Sequence, residues 1–151
     1  MWKPKVKKMN GFVKFITGGW ALAITLLPFG IYVNKDYWYW QEHNVIKWNE
    51  TINHESTHWE QQKEMLVTGI FIAVILGIIF VLLKLSLWWL LALALIPFLF
   101  FYLWYLIEWF FKLFVHGREA YYNISFEREA IDNEKNLEYL KTRRHFAWLG
   151  I

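Results

Sequence analysis

The 151 residues are enough for one domain, but 57% hydrophobic and 21% aromatic content, with 11 Trp, is too apolar for an ordinary soluble domain of that size. The lack of cysteine excludes disulfides and thiolate metal sites, so any metal must be held by His and carboxylate. The net charge is only +3, and Lys and Arg flank apolar runs instead of forming a stripe, which argues for membrane flanks and against a nucleic-acid partner.

Residues 1–14 carry Lys3, Lys5, Lys7, Lys8 and Lys14 and read as a flexible basic tail at an anionic membrane surface. Residues 15–33 are uncharged and could just span a bilayer by length. Gly18, Gly19, Pro28 and Gly30 interrupt them, and their β-branched residues suit an extended chain. A short strand or interfacial segment is therefore expected within residues 15–52, with a third transmembrane helix as the alternative. The run has no small-x-small site after it, so a cleavable signal peptide is not expected. Residues 34–50 are polar and aromatic and read as a hairpin or loop at the water–lipid boundary.

Asn53 is the expected N-cap of the next helix, placed at residues 53–64. That helix carries His54-Glu55-Ser56-Thr57-His58, the pattern H-E-x-x-H. Four-residue spacing stacks the two imidazoles on one helix face, where they can grip one zinc ion. Glu55 lies beside them, placed to take a proton from a water at the metal. No Gly or Pro interrupts residues 54–68, so the helix should run on into the apolar segment that follows.

From Met65 to Ile107 the sole charged side chain is Lys84. A single helix of that length would be about twice the thickness of a hydrocarbon core. Two antiparallel spans, 65–83 and 87–107, with a turn at Lys84–Ser86, fit better, and Pro97 should kink the second. Trp88 and Trp89 at one end and Trp104, Tyr105 and Trp109 at the other read as interfacial belts. Phe110–Val115 extends the helix, His116-Gly117 is the expected break, and Ser125 the expected cap of a charged helix over 126–144.

A hairpin returns the chain to the side it entered from, so the motif and residues 108–151 share one membrane face. That face holds almost all the Lys and Arg and is expected to be cytoplasmic, which makes this an inner-membrane protein with its site facing the cytoplasm. The third ligand must come from the same face, where the chain reads Phe126-Glu127-Arg128-Glu129-Ala130. Both Glu127 and Glu129 are candidates.

Here the chain resembles the membrane-integrated gluzincins, such as the CAAX prenyl proteases and HtpX-like stress proteases. In those, H-E-x-x-H is followed, after a transmembrane hairpin, by a helix bearing Glu-x-x-Ala-Asp. The resemblance implies that Glu127 is the third zinc ligand and Ala130 the matching alanine. Ile131 stands where the family has its supporting Asp; Asp132 or Glu134 is the candidate substitute, Glu134 sharing a face with Glu127. Asn53–Gln62, read as Asn-His-Glu-x-x-His-x-x-Gln-Gln, together with Phe126–Ala130, is similar to a group of small bacterial and phage membrane proteins. The similarity covers roughly residues 20–145 in order of features.

The expectation is thus a mainly α membrane protein forming one domain: a transmembrane hairpin with a surface zincin-like site. Its expected activity is zinc-dependent hydrolysis of peptide or membrane-protein substrates at the bilayer surface. Glu55 would be the general base, and His54, His58 and Glu127 the zinc ligands. A non-catalytic membrane protein with a structural metal site is the alternative. A di-iron oxidase would need ligands from more helices than five His allow. His43, His116 and His145 are expected at the surface, Tyr121 and Tyr122 as interfacial anchors or oxyanion donors, and Glu108 as an interfacial carboxylate.

Overall fold

A computed structural model describes residues 3–86 and 88–150. It is mainly helical. Three short strands open the chain: β1 (Val6–Lys8), β2 (Ala23–Leu26) and β3 (Gly30–Val33). They form one sheet in the order β1-β3-β2, with β3 parallel to β1 and antiparallel to β2. A short helix, α1 (Gly11–Ile16), sits between β1 and β2, capped by Asn10, whose side chain accepts from the Val13 amide. The described part of the basic tail is therefore ordered as strand and helix. Its Met9 and Val13 bury themselves against Tyr32, with Ala21, Ile24 and Leu26 packed alongside. Gly30 has a positive φ, and a Cβ there would meet the Lys5 carbonyl oxygen at 2.3 Å, so the β1–β3 pairing needs a glycine.

The expected loop over 34–50 is instead two short helical turns, the second being α2 (Trp40–His43), followed by the start of α3 (Val45–Leu82). Asn44 caps α3, accepting from the Lys47 amide. Asn53 is not a cap. It lies inside the helix, and its amide donates to the backbone carbonyls of Asn133, Glu134 and Asn136, pinning the far end of the chain. One uninterrupted helix of 38 residues thus carries both the H-E-x-x-H motif and the first apolar run.

Lys84 terminates α3 from the left-handed region, at φ 54°. The Leu85 amide reaches back to the Phe80 carbonyl and the Lys84 amide to that of Val81, a Schellman closure in which lysine takes glycine's usual place. The expected second span is split. Leu87, its expected first residue, lies outside the described residues. Beyond it come α4 (Trp88–Leu93) and α5 (Ile96–His116). Pro97 does not kink a helix here. It sits in the first turn of α5, where its missing N–H costs nothing. Gly117, with φ 54°, ends α5.

The charged helix expected over 126–144 breaks into α6 (Ser125–Asn133) and α7 (Tyr139–Thr142). Ser125 does not cap α6. Its amide and hydroxyl both donate to Glu108, at 2.9 and 2.7 Å, so the carboxylate on α5 closes the helix start. Met65, Phe101, Ile124, Phe126 and Trp148 form the core that joins these parts, with Phe101 and Phe126 stacked at 4.7 Å.

Two helices among the described residues are long and apolar enough to cross a membrane, and little of either apolar window is buried. Helices α3 and α5 cross where a Cβ on Gly69 would stand 2.7 Å from the Pro97 Cα. Gly69→Ala should therefore destabilise the fold by ~1–3 kcal/mol through overpacking. Gly77→Ala, whose new methyl would lie 3.8 Å from the Leu93 side chain, should be tolerated. Paired denaturation curves in detergent check this, and equal midpoints for the two variants would refute the crossing.

Candidate functional site

Helix α3 turns His54 and His58 toward each other, with their Nε2 atoms 3.2 Å apart. The first turn of α6 brings in Glu127. Its Oε1 lies 3.3 Å from His58 Nε2 and its Oε2 3.5 Å from His54 Nε2. The three make the one group of metal-ligand spacing found among the described residues. At a metal–ligand distance of about 2.1 Å, the edge of a coordination tetrahedron is about 3.4 Å. The two imidazole nitrogens stand near that edge length and each faces one oxygen of Glu127, and one ligand atom from each residue lies within 4.8 Å of the other two, close enough to converge on one ion. Glu127 Oε2 is buried with no hydrogen-bond partner among the described residues. A buried acceptor left in that state is costly, and a cation between the three groups would satisfy it. The donor set therefore fits a zinc ion.

The partners of each imidazole fix which nitrogen is free. Gln61, one turn beyond His58, gives its amide nitrogen to the Phe126 carbonyl and to Glu129 Oε2, both at 3.0 Å. Its oxygen must then be the atom 2.7 Å from His58 Nδ1, which makes that nitrogen a donor and leaves Nε2 for the metal. His54 Nδ1 faces Glu134 Oε2 at 3.4 Å, so the same logic frees its Nε2. Of the two candidate substitutes for the family's Asp, Glu134 is the one that faces a histidine.

Glu129 is turned away from the metal-ligand group. Arg143 enters between Glu129 and Glu64, with Nε 2.5 Å from Glu129 Oε1 and Nη1 2.5 Å from Glu64 Oε1. Tyr139 donates to Glu129, and the Phe146 amide and Trp148 indole donate to Glu64. Burial opposes the Arg143 charge, but the two carboxylates more than restore it. Glu127 and Glu129, two residues apart, consequently serve opposite sides of α6.

Glu55 is buried beside the histidines, and its Oε2 accepts from the Thr25 hydroxyl at 2.7 Å. Gln62 locks β2 against α3. Its amide donates to the Thr25 carbonyl and its oxygen accepts from the Leu27 amide, both at 2.8 Å. A cleft of 310 Å³ opens over His54, His58, Glu55 and Glu127, walled by β2, by Trp20 and by Phe101, Tyr102 and Tyr105 of α5. Tyr105 donates to Glu127 Oε1 at 3.0 Å. Tyr121 lines the same cleft, not a remote interface; burial and then the Glu127 charge push its phenol up, so it remains a hydroxyl donor. Of the other histidines, His43 meets the Tyr39 carbonyl and His145 lies exposed near Glu64.

Burial favours neutral forms at both His58 and Glu127, yet their mutual attraction wins. His58 is pushed up to about 9, while Glu127 is held well below the usual carboxylate range, chiefly by the His58 charge. A ligand nitrogen must lose its proton to bind metal. Zinc affinity should therefore rise with pH by up to ~tenfold per unit until about pH 9 and then level off. Competition titrations across pH 6–10 with a chromophoric chelator check this; a flat profile below pH 9 would refute it.

No protein-family model, curated protein or solved structure matches the chain. Function has to be read from the site's own chemistry.

Proposed function

We propose that the chain is a membrane-embedded, zinc-dependent endopeptidase that hydrolyses peptide bonds at the cytoplasmic membrane surface. The observation that carries this reading is the convergence of His54, His58 and Glu127 with a buried carboxylate, Glu55, in one cleft bordered by a strand. When bound, zinc acts as a Lewis acid that polarises a carbonyl and acidifies water. Glu55 takes the proton of the attacking water and passes it to the departing amine. The Thr25 hydroxyl holds the Glu55 carboxylate in place for both transfers. Tyr121 lines the same cleft, and its hydroxyl can donate to the developing oxyanion.

Strand β2 supports an extended substrate. Leu22 gives its carbonyl to the Asn34 amide just beyond β3, whereas the Thr25 carbonyl and the Leu27 amide turn outward to Gln62. By alternation, Ala23 also faces outward, along the cleft, and can pair with a peptide backbone. Helices α3 and α5 are taken as bilayer spans, and the Lys/Arg bias of the shared face supports a site on the cytoplasmic side.

The first test is metal stoichiometry. Purified protein should carry about one zinc per chain, and His58→Ala should lose it, since two ligands do not complete a site. Full zinc retention in His58→Ala would refute the ligand set. A zinc-loaded protein that cleaves no peptide from a broad library would instead favour a structural metal site.

A further inference from the structure

We infer that α1 and the second half of α5 form a lipid-contacting collar that rises past the level of the metal ligands, seated in the interface of an anionic bilayer. This rests on reading α3 and α5 as spans. The collar shows first on α5. Tyr105 marks the depth of the site, because its hydroxyl reaches Glu127. Helix α5 nevertheless continues from Leu106 to Val115, about 15 Å further. Along that length Leu106, Phe110, Phe111, Phe114 and Val115 are all exposed, Val115 at 75%. Of the two charged groups there, Glu108 is spent on capping α6, leaving Lys112. No span ending at the level of the ligands would cover this surface.

The second half of the collar is α1. One face of it packs on the sheet through Val13, next to Met9. The opposite face presents Phe12, Phe15 and Ile16, continued by Trp20, with Phe15 exposed to 84% and Trp20 to 82%. Ile16 and Trp20 line the cleft together with Phe101 and Tyr102 of α5, so α1 stands beside that helix at the cleft.

Charge selects lipid over a protein partner. The first acidic residue of the chain is Asp36, and before it come Lys3, Lys5, Lys7, Lys8, Lys14 and Lys35. Lysines beside exposed aromatic rings suit an interface of anionic headgroups. Continuity points the same way, because the α5 half of the collar extends a surface that is already lipid-facing in the proposed topology. The cleft then opens sideways into the headgroup layer, and the substrate class narrows to a polypeptide segment lying in that layer.

The chain has no cysteine, so single labels report cleanly. An environment-sensitive fluorophore is placed at Phe15→Cys and at Val115→Cys in the full chain, in nanodiscs containing phosphatidylglycerol. Ile75→Cys serves as the bilayer reference and Ile46→Cys as the aqueous reference. Both test positions should show blue-shifted emission, quenching by nitroxides on shallow acyl carbons and loss of quenching by aqueous iodide. Replacing the anionic lipid with a neutral one should shift the position-15 signal to the red while position 75 stays fixed. Iodide quenching at 15 and 115 equal to that at 46 would overturn the collar alone. Iodide access at 75 would overturn the spans with it. Protection from both quenchers would mean a protein covers the surface and would also overturn it. Should Phe15→Cys misfold, Phe12→Cys reads the same face. None of these signals needs metal or turnover, so a missing peptidase activity would not be mistaken for a missing collar.

Discussion

Glu55→Gln is expected to lower peptide cleavage by ~10²–10⁴-fold while zinc content stays at the wild-type level. Glutamine keeps the length and shape of the side chain, and its oxygen can still accept from the Thr25 hydroxyl, so the wall of the cleft should hold. What it cannot do is take a proton from water. The loss should fall on kcat and kcat/KM together, because the proton moves only in the transition state. The check is a pair of measurements on one preparation: metal by elemental analysis, and initial rates on a membrane-reconstituted peptide. Wild-type rates in Glu55→Gln would remove Glu55 as the base. Loss of zinc along with activity would show that it holds the site together and does not serve it chemically.

Arg143→Ala is expected to cost ~3–5 kcal/mol of stability, the largest effect of any single substitution outside the ligand set. The guanidinium is buried between Glu64 and Glu129, whose side chains are 6% and 0% exposed. Removing it leaves two carboxylates facing each other out of reach of water. The damage should reach the histidines, because Glu129 also holds Gln61, and Gln61 orients His58. Zinc affinity in Arg143→Ala should drop by about 10–100-fold even where the protein stays folded. Arg144→Ala is the control: its side chain is exposed, and its effect should stay within ~0.5 kcal/mol. Urea unfolding in detergent and zinc titration of both variants check this. Equal behaviour of the two would show that the buried triad contributes nothing.

Much of the site could be read from periodicity. Four-residue spacing puts His54 and His58 on one face, and the apolar stretch after Met65 forces a hairpin that brings Glu127 back to them. Helical spacing also allows just one of Glu127 and Glu129 to face the histidines, since residues two apart point to opposite sides, but the preference for Glu127 rests on the resemblance and not on periodicity. What periodicity could not supply was the set of partners. Arg143 and Arg144 are identical in the sequence, and only the docking of the C-terminal segment decides which one is buried. Thr25 and Gln62 act through a strand whose neighbour is a helix, and no local pattern announces that pairing. The start of α3 was misplaced for a local reason. Asn53 and Asn44 are both good caps, and the polar, aromatic run ending at residue 50 resembles boundary loop more than helix. Asn44 takes the cap, while Asn53 reaches across to the C-terminal segment, a tertiary bond with no trace in composition.

The uninterrupted α3 leaves no slack between its apolar run and the turn that carries His54 and His58. His58 and Gly69 are separated by eleven residues of one helix, about 16 Å of rigid rod. Adding or deleting one residue in that stretch would turn the two imidazoles by about 100° about the axis relative to the Gly69–Pro97 crossing. Glu127 reaches the histidines through α6, which is seated near the crossing by Phe126 and Phe101, and it would not follow. Loops elsewhere can lengthen freely, but here the count of residues is itself a constraint. Any natural variation in this stretch should take the form of substitutions and not of insertions or deletions.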